Sequence, residues 1–208
     1  GALLSPAAVT IYNPAIRIAN IVEVPTVSLS QIFFPKLLSR FADEGNAVAK
    51  DMYEKSVGAL FAVMFPITIA VVLLAGPIIY IVAGDGFEET INILRITIIT
   101  ALIIPFNRQV GITLDAIGKA RVNFFFVLRN AAINTILGYF LIHQFGIIGA
   151  AYSMLITFTF SFLYNQFYIH RLLGVNVFAV FKYAWRYYKS VLVMMEALKD
   201  FRSNNTKE

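Results

Sequence analysis

The sequence predicts an all-α, polytopic transmembrane helical bundle of about five spans followed by a C-terminal amphipathic helix. Three observations predict it. Hydrophobic residues make up 59% of the 208 and charged residues only 14%, against about 45–50% and about 25% in ordinary soluble domains. Residues 57–83 and 145–169 hold no charged side chain, and roughly 20 apolar residues suffice to cross the hydrocarbon layer. The apolar runs are continuous instead of alternating with period two, which argues against a β-barrel. The same figures argue against a disordered chain, a nucleic-acid partner and most soluble enzymes. With no Cys, two His and no HExxH, neither a disulfide framework nor a metal or cofactor site is expected.

In chain order the spans fall at about 6–34, 57–83, 90–114, 122–142 and 145–169. Pro14, Pro25 and Pro35 are expected to interrupt the first helix, Pro66 and Pro77 the second and Pro105 the third, since each removes a backbone hydrogen bond. The charges between the spans alternate. Lys36, Arg40, Lys50 and Lys55 follow the first span, whereas the next loop holds Asp85, Glu88 and Glu89 and no cation. Lys119 and Arg121 occupy the third loop, the fourth has no charge, and basic residues return after Ile169. By the positive-inside rule the basic loops are cytoplasmic, with Gly1 outside and Glu208 inside. A start outside without a signal sequence implies a preceding N-terminal part.

Residues 1–170 read as the bundle and 171–208 as a separate amphipathic helix with a polar tail. In that tail Phe178, Phe181, Trp185, Tyr188, Leu192 and Met195 recur at steps of three and four and make one apolar stripe, flanked by Lys182, Arg186 and Lys189. An interfacial helix with snorkelling cations and a sixth span both fit this pattern.

Four cations fall inside spans, and all are Arg: Arg17, Arg95, Arg108 and Arg129. A charge at mid-bilayer costs at least about 2.5–3.5 kcal/mol, so such residues are functional suspects. Arg also grips a phosphate with two parallel donors. Arg95 lies one turn inside the end of its span, where snorkelling explains it. Arg17 is mid-span, and Asn13, Arg17, Asn20 and Glu23 share about 120° of one helix face. A polar face on a membrane helix must look into protein or a water-filled cavity. Asn123, Asn130 and Asn134 fall within about 40° on the fourth span. Cavity lining by Arg17, Arg129, Arg108, Asn20, Asn13, Asn130 and Asn134 is weighed against an internal Arg17–Glu23 or Arg17–Asn packing network and, for the Asn stripe of the fourth span, against ordinary helix-to-helix hydrogen bonding. Glu23 is the candidate for ion coupling. Ser153, Thr157, Ser161 and Tyr164, and the Gly146-Ile-Ile-Gly149 start of the fifth span, read as packing.

Four stretches resemble a known family. They are Val27-Ser-Leu-Ser-Gln-Ile-Phe-Phe-Pro35-Lys-Leu-Leu-Ser-Arg40, Gly111-Ile-Thr-Leu-Asp-Ala-Ile-Gly118-Lys119, the Asn-bearing helix 123–134, and Gly146-Ile-Ile-Gly-Ala-Ala151. In order and spacing, over about residues 5–170, they resemble the C-terminal half of bacterial O-antigen and capsule flippases. These belong to the multidrug/oligosaccharidyl-lipid/polysaccharide exporter superfamily. The resemblance implies two helical bundles around a central cavity, of which this chain supplies one and the missing N-terminal bundle is the partner. It implies a bacterial inner-membrane transporter moving an undecaprenyl-diphosphate-linked oligosaccharide between leaflets by alternating access, beside a polysaccharide polymerase and glycosyltransferases. It implies no enzyme chemistry. The alternatives are a multidrug exporter of the same superfamily, whose cationic cargo would want acidic or aromatic lining, and a truncated, non-transporting membrane scaffold. A membrane transferase would need a clustered acid–base set, and His143 and His170 fall at opposite faces by the charge pattern.

Overall fold

A computed structural model describes residues 6–190, with side chains from Thr10 onward. Seven helices follow in order: α1 (Pro6–Glu44), α2 (Asn46–Leu73), α3 (Ala75–Ala83), α4 (Glu88–Ala101), α5 (Ile104–Ala116), α6 (Ala120–Phe145) and α7 (Ile148–Leu173). A further helical stretch, α8, covers 177–190. Among the described residues there is no strand, so the all-α bundle is as the sequence predicts. Thr10–Glu44, Asn46–Leu73, Glu88–Ala116 and Ala120–Phe145 are long and apolar enough to cross a membrane. The fifth expected span, α7, matches α6 at 26 residues. Asn165, Gln166 and its Ser, Thr and Tyr residues dilute it below the apolarity of the other four.

Proline placement explains where the helices break and corrects one expectation. Pro77 has no N–H for the Leu73 carbonyl, and Pro105 has none for the Ala101 carbonyl. The chain breaks at those points, between α2 and α3 and between α4 and α5. At the second break Leu102 N–H and Ile103 N–H donate to Ile99 and Thr100 carbonyls at 3.2 and 2.9 Å, a tightened last turn. Pro66, expected to interrupt the second helix, lies inside an unbroken α2, and Pro14, Pro25 and Pro35, expected to interrupt the first, lie inside an unbroken α1. The latter three are about three turns apart, so each removes one isolated hydrogen bond from a long helix.

The core divides into two apolar clusters. One joins Ala15, Met64, Ile79, Ile93 and Ile98. The other joins Leu37, Tyr53, Val57, Val110, Leu114 and Ile169. Charge is segregated in step with them. Thr90 Oγ1 donates to the Ile11 carbonyl at 2.8 Å, and Glu89 shares a small cavity with residues 145–148, so the acidic loop and the uncharged loop lie at one end. At the other end the backbone N–H of Asn176 donates to Glu54 Oε1 at 2.8 Å. That contact brings the chain after α7 onto the lysine-bearing start of α2.

Two close helix approaches depend on glycine. At Gly149 a Cβ would clash with the Leu141 carbonyl oxygen, so α6 and α7 form a hairpin with backbones in contact. At Gly58 a Cβ would meet Tyr183 Cβ at 2.7 Å and the Val180 carbonyl oxygen at 3.0 Å, so α8 lies directly on α2. The α8 face on the bundle is Val180 and Ala184, while Phe178, Phe181 and Trp185 are exposed. Tyr188 Oη donates to the Ala62 carbonyl at 2.6 Å. Leu192 and Met195 of the apolar stripe lie outside the described residues.

Candidate functional site

The helical period on α5 places Arg108, Gly111 and Asp115 on one face. That face borders a cavity of about 460 Å³ whose walls also include Glu23 of α1, Asn123 of α6 and Phe158 of α7. Arg108 Nη2 donates to Glu23 Oε1 at 2.5 Å and forms an ion pair, with the two side chains 37% and 22% exposed. The pair is accessible from the cavity and is not sealed in the core. Asn123 Nδ2 donates to both Asp115 oxygens, at 3.0 and 2.9 Å. Gly111 makes room for that amide, since a Cβ there would lie 2.9 Å from Asn123 Oδ1. Behind this face the buried Gln109 donates to Ser30 Oγ at 3.3 Å, and Ser30 Oγ donates to the Thr26 carbonyl at 2.7 Å. These bonds fix α5 on α1.

Asn13, Arg17 and Asn20 are exposed on α1, one helix face above Glu23. Among the described residues Arg17 has neither an ion pair nor a hydrogen bond. A polar strip therefore runs down α1 from Asn13 through Arg17 and Asn20 to Glu23, then along α5 from Arg108 to Asp115. It leads from the acidic end of the bundle towards the basic end. The internal Arg17–Glu23 pairing that the sequence leaves open is not formed, because Glu23 turns to Arg108.

Arg129 sits elsewhere. Its guanidinium carbon lies 4.2 Å from the centre of the Tyr164 ring, 5.0 Å from Phe126 and 5.7 Å from Phe160. Its Nη2 donates to Asn130 Oδ1 and Asn165 Oδ1 at 3.0 and 3.1 Å. Ser161 Oγ donates to the same Asn130 oxygen at 2.5 Å. No carboxylate neutralises Arg129 among the described residues. Asn165 Nδ2 donates to Asn107 Oδ1 at 3.0 Å, and Asn107 Nδ2 to the Phe158 carbonyl at 3.1 Å. Amides thus link the Arg129 cage to Asn107 on the cavity wall. Asn134 is exposed near the middle of α6 and accepts from Ser153 Oγ at 3.4 Å.

The structure thus gathers Glu23 and Arg108 at one cavity and leaves Arg17, Asn13 and Asn20 on the open face leading to it. Arg129, Asn130 and Asn134 lie on the α6–α7 hairpin. Arg17 and Arg129 do not line a common cavity among the described residues, because Asn130 and Arg129 turn towards α7. Asn107, Asn165 and the Asp115–Asn123 contact are the participants that sequence reasoning misses. Ser153, Thr157, Ser161 and Asn165 are all buried at strict four-residue steps along α7, a spacing that carries the signal for Asn165.

Residues 1–92 match the family described as polysaccharide biosynthesis protein. The chain is also 32% identical over 84 residues to an uncharacterized membrane protein of Methanocaldococcus jannaschii. That alignment covers 40% of this chain and 20% of the relative, so the chain spans about a fifth of that protein's length. No solved structure matches. Four helices apolar enough to span and the similarity to a membrane protein support a membrane location. Residues 1–92 are thus similar to polysaccharide biosynthesis proteins, which supports the resemblance to polysaccharide exporters over that segment.

Proposed function

We propose that this chain forms one bundle of an exporter that moves a lipid-diphosphate-linked oligosaccharide across a bacterial inner membrane, the basic end lying in the cytoplasm. One observation carries the reading: a membrane-length helix, α1, exposes Asn13, Arg17 and Asn20 along a face that leads to the Glu23–Arg108 cavity. A polar face of this kind is tolerated at membrane depth only against protein or water. A second helical bundle closing over it would leave an Arg-bearing passage. The sign of the passage suits a diphosphate, because among the described residues Arg17 lacks a counter-charge and Arg108 has a single one, Glu23. Charge-assisted hydrogen bonds from such guanidiniums offset desolvation of an anionic headgroup. Movement then follows from rocking of the two bundles about the site, and no bond is made or broken.

Within this reading Arg108, nearer the cytoplasmic end, takes up the diphosphate as Glu23 lets go. Arg17 then meets it at mid-membrane, and Glu23, the one carboxylate paired with Arg108 among the described residues, is the candidate for ion coupling. The residues 177–190 belong to the bundle as an embedded helix. Their course along α2 from Glu54 to Ala62 supports this placement, with Phe178, Phe181 and Trp185 facing lipid.

The test uses the full-length protein in cells, with surface polysaccharide and membrane abundance measured together. Arg17→Ala is expected to abolish polysaccharide at normal abundance. Arg17→Lys restores part of it, because an ammonium keeps the charge and loses the two-pronged grip. Normal polysaccharide output from Arg17→Ala at normal abundance overturns the proposal.

A further inference from the structure

The last turns of α7 present Tyr164, Phe167, Tyr168, Arg171 and Leu172 on one side, at steps of three and one. They border an open groove of about 400 Å³. Phe126 of α6 braces it, with its ring 5.4 Å from Tyr164 and 5.2 Å from Tyr168 in edge-to-face contact. The guanidinium of Arg171 is exposed and lies over the Phe167 ring at 4.4 Å. Among the described residues it has no acceptor and no carboxylate. The Tyr164 and Tyr168 hydroxyls likewise make no hydrogen bond to the described residues. The groove therefore offers a cation and two hydroxyl donors with no protein acceptor to meet them. It lies at the end of the bundle where Lys119, Arg121 and the start of α2 also lie.

The surface above the groove is apolar and continuous. Ile156, Phe160, Leu163 and Phe167 are all exposed, at 46, 47, 62 and 56%. They recur at steps of four, three and four, so they form one strip along α7. At 1.5 Å per residue the strip is about 16 Å long, close to the reach of one acyl chain in a single leaflet. Donors at its basic end and a hydrocarbon track running inward from them match one amphiphile, a phosphate joined to acyl chains. Basic pockets between helices at the cytoplasmic surface are places where anionic headgroups dock. Snorkelling alone would extend Arg171 towards water and leave its position on Phe167 unexplained.

We infer that the α6–α7 groove is a binding site for an anionic phospholipid, whose phosphate is held by Arg171, Tyr164 and Tyr168 and whose chain lies on the Ile156–Phe167 strip. The site is separate from the Glu23–Arg108 cavity and does not depend on what passes through it.

The experiment is native mass spectrometry of the full-length protein released from neutral detergent, titrated with phosphatidylglycerol, phosphatidylcholine or inorganic phosphate. Phosphatidylglycerol is expected to be retained several-fold better than phosphatidylcholine, and millimolar phosphate to leave it bound. Arg171→Gln is expected to lower phosphatidylglycerol retention about fivefold and to leave phosphatidylcholine unchanged. Tyr168→Phe keeps the ring against Phe126 and is expected to reduce retention about twofold. It serves as the independent reading should Arg171→Gln lower the amount of folded protein. Equal retention of the two lipids, or retention unaltered in both variants, overturns the inference. Displacement by inorganic phosphate alone also overturns it, because the site would then be one for free anions.

Discussion

Arg108 and Arg129 are guanidiniums inside the membrane-spanning part of the molecule, and the two regions hold them by different means. Between α1 and α5 the partner is a carboxylate, Glu23, and the pair borders a cavity with both side chains partly accessible. Between α6 and α7 there is no carboxylate. Three aromatic rings and the oxygens of Asn130 and Asn165 surround the charge. A carboxylate beside an open cavity can be exchanged for another anion. A cage of rings cannot be exchanged without unpacking the hairpin that carries it. The contrast teaches that an intramembrane Arg does not by itself mark a cargo site: its partners decide whether it can change them. Each cation–π contact contributes about 0.5–2 kcal/mol when desolvated, enough for Arg129 to hold α6 on α7.

The largest effect should come from opening the hairpin at its turn. A Cβ on Gly149 would clash with the Leu141 carbonyl oxygen and lie 2.7 Å from the Ile142 nitrogen, and both are backbone atoms that cannot rotate aside. Overpacking of a close contact costs about 1–3 kcal/mol and sometimes more, and a clash this short belongs at the top of that range. Gly149→Ala is expected to lower membrane abundance several-fold and to take the thermal midpoint in detergent down with it. Wild-type abundance and midpoint would mean that the cage around Arg129 is compliant, and the distinction between the regions would collapse.

A smaller effect should separate the two arginines themselves. Arg129→Leu removes a bond to Asn165 of a kind that contributes about 1.5–3 kcal/mol, and abundance is expected to fall. Glu23→Gln leaves Arg108 without its counter-charge, and Arg108→Gln strands Glu23. The double variant removes both charges and is expected to regain the abundance that either single change loses. Polysaccharide output should remain low in the double variant, because the exchangeable cation is gone. Recovery of output there would make the pair structural and Arg108 no different in kind from Arg129.

Much of this arrangement can be read from the sequence, and the part that cannot is tertiary. Long uncharged runs marked α2 and α7, and loop charge separated the two ends of the bundle, because both properties are local. Pro77 and Pro105 foretell the breaks four residues before them, whereas Pro14, Pro25, Pro35 and Pro66 look the same in sequence and leave α1 and α2 whole. Glu23 and Arg17 share a helix face and invite pairing, yet six residues separate them by about 9 Å of rise. The cation that reaches Glu23 comes from α5, 85 residues away, and no local pattern announces it. Arg129 shares a face with Phe126, which is visible three residues earlier. Phe160, Tyr164 and Asn165 arrive only when the hairpin closes.

The smallest expected effect tests the comparison at a second glycine. Gly111 faces the cavity, and a Cβ there would meet Asn123 Oδ1 at 2.9 Å. The obstacle is the tip of a side chain, which can swing away at the expense of its bonds to Asp115. Alanine in place of glycine within a helix also contributes about 0.5–1 kcal/mol by restricting the unfolded chain. The lost Asn123–Asp115 contact is partly exposed and is worth a similar amount. Opposing terms of equal size leave the net near zero, so Gly111→Ala should keep abundance and thermal midpoint close to wild type. In the same preparations Gly149→Ala should fail on both. Both substitutions add one methyl group at a helix crossing, which makes the pair a controlled measure of how rigid each region is. A Gly111→Ala variant as damaged as Gly149→Ala would show that the cavity wall is packed as tightly as the hairpin. Glu23 and Arg108 would then have no more freedom to exchange partners than Arg129 has.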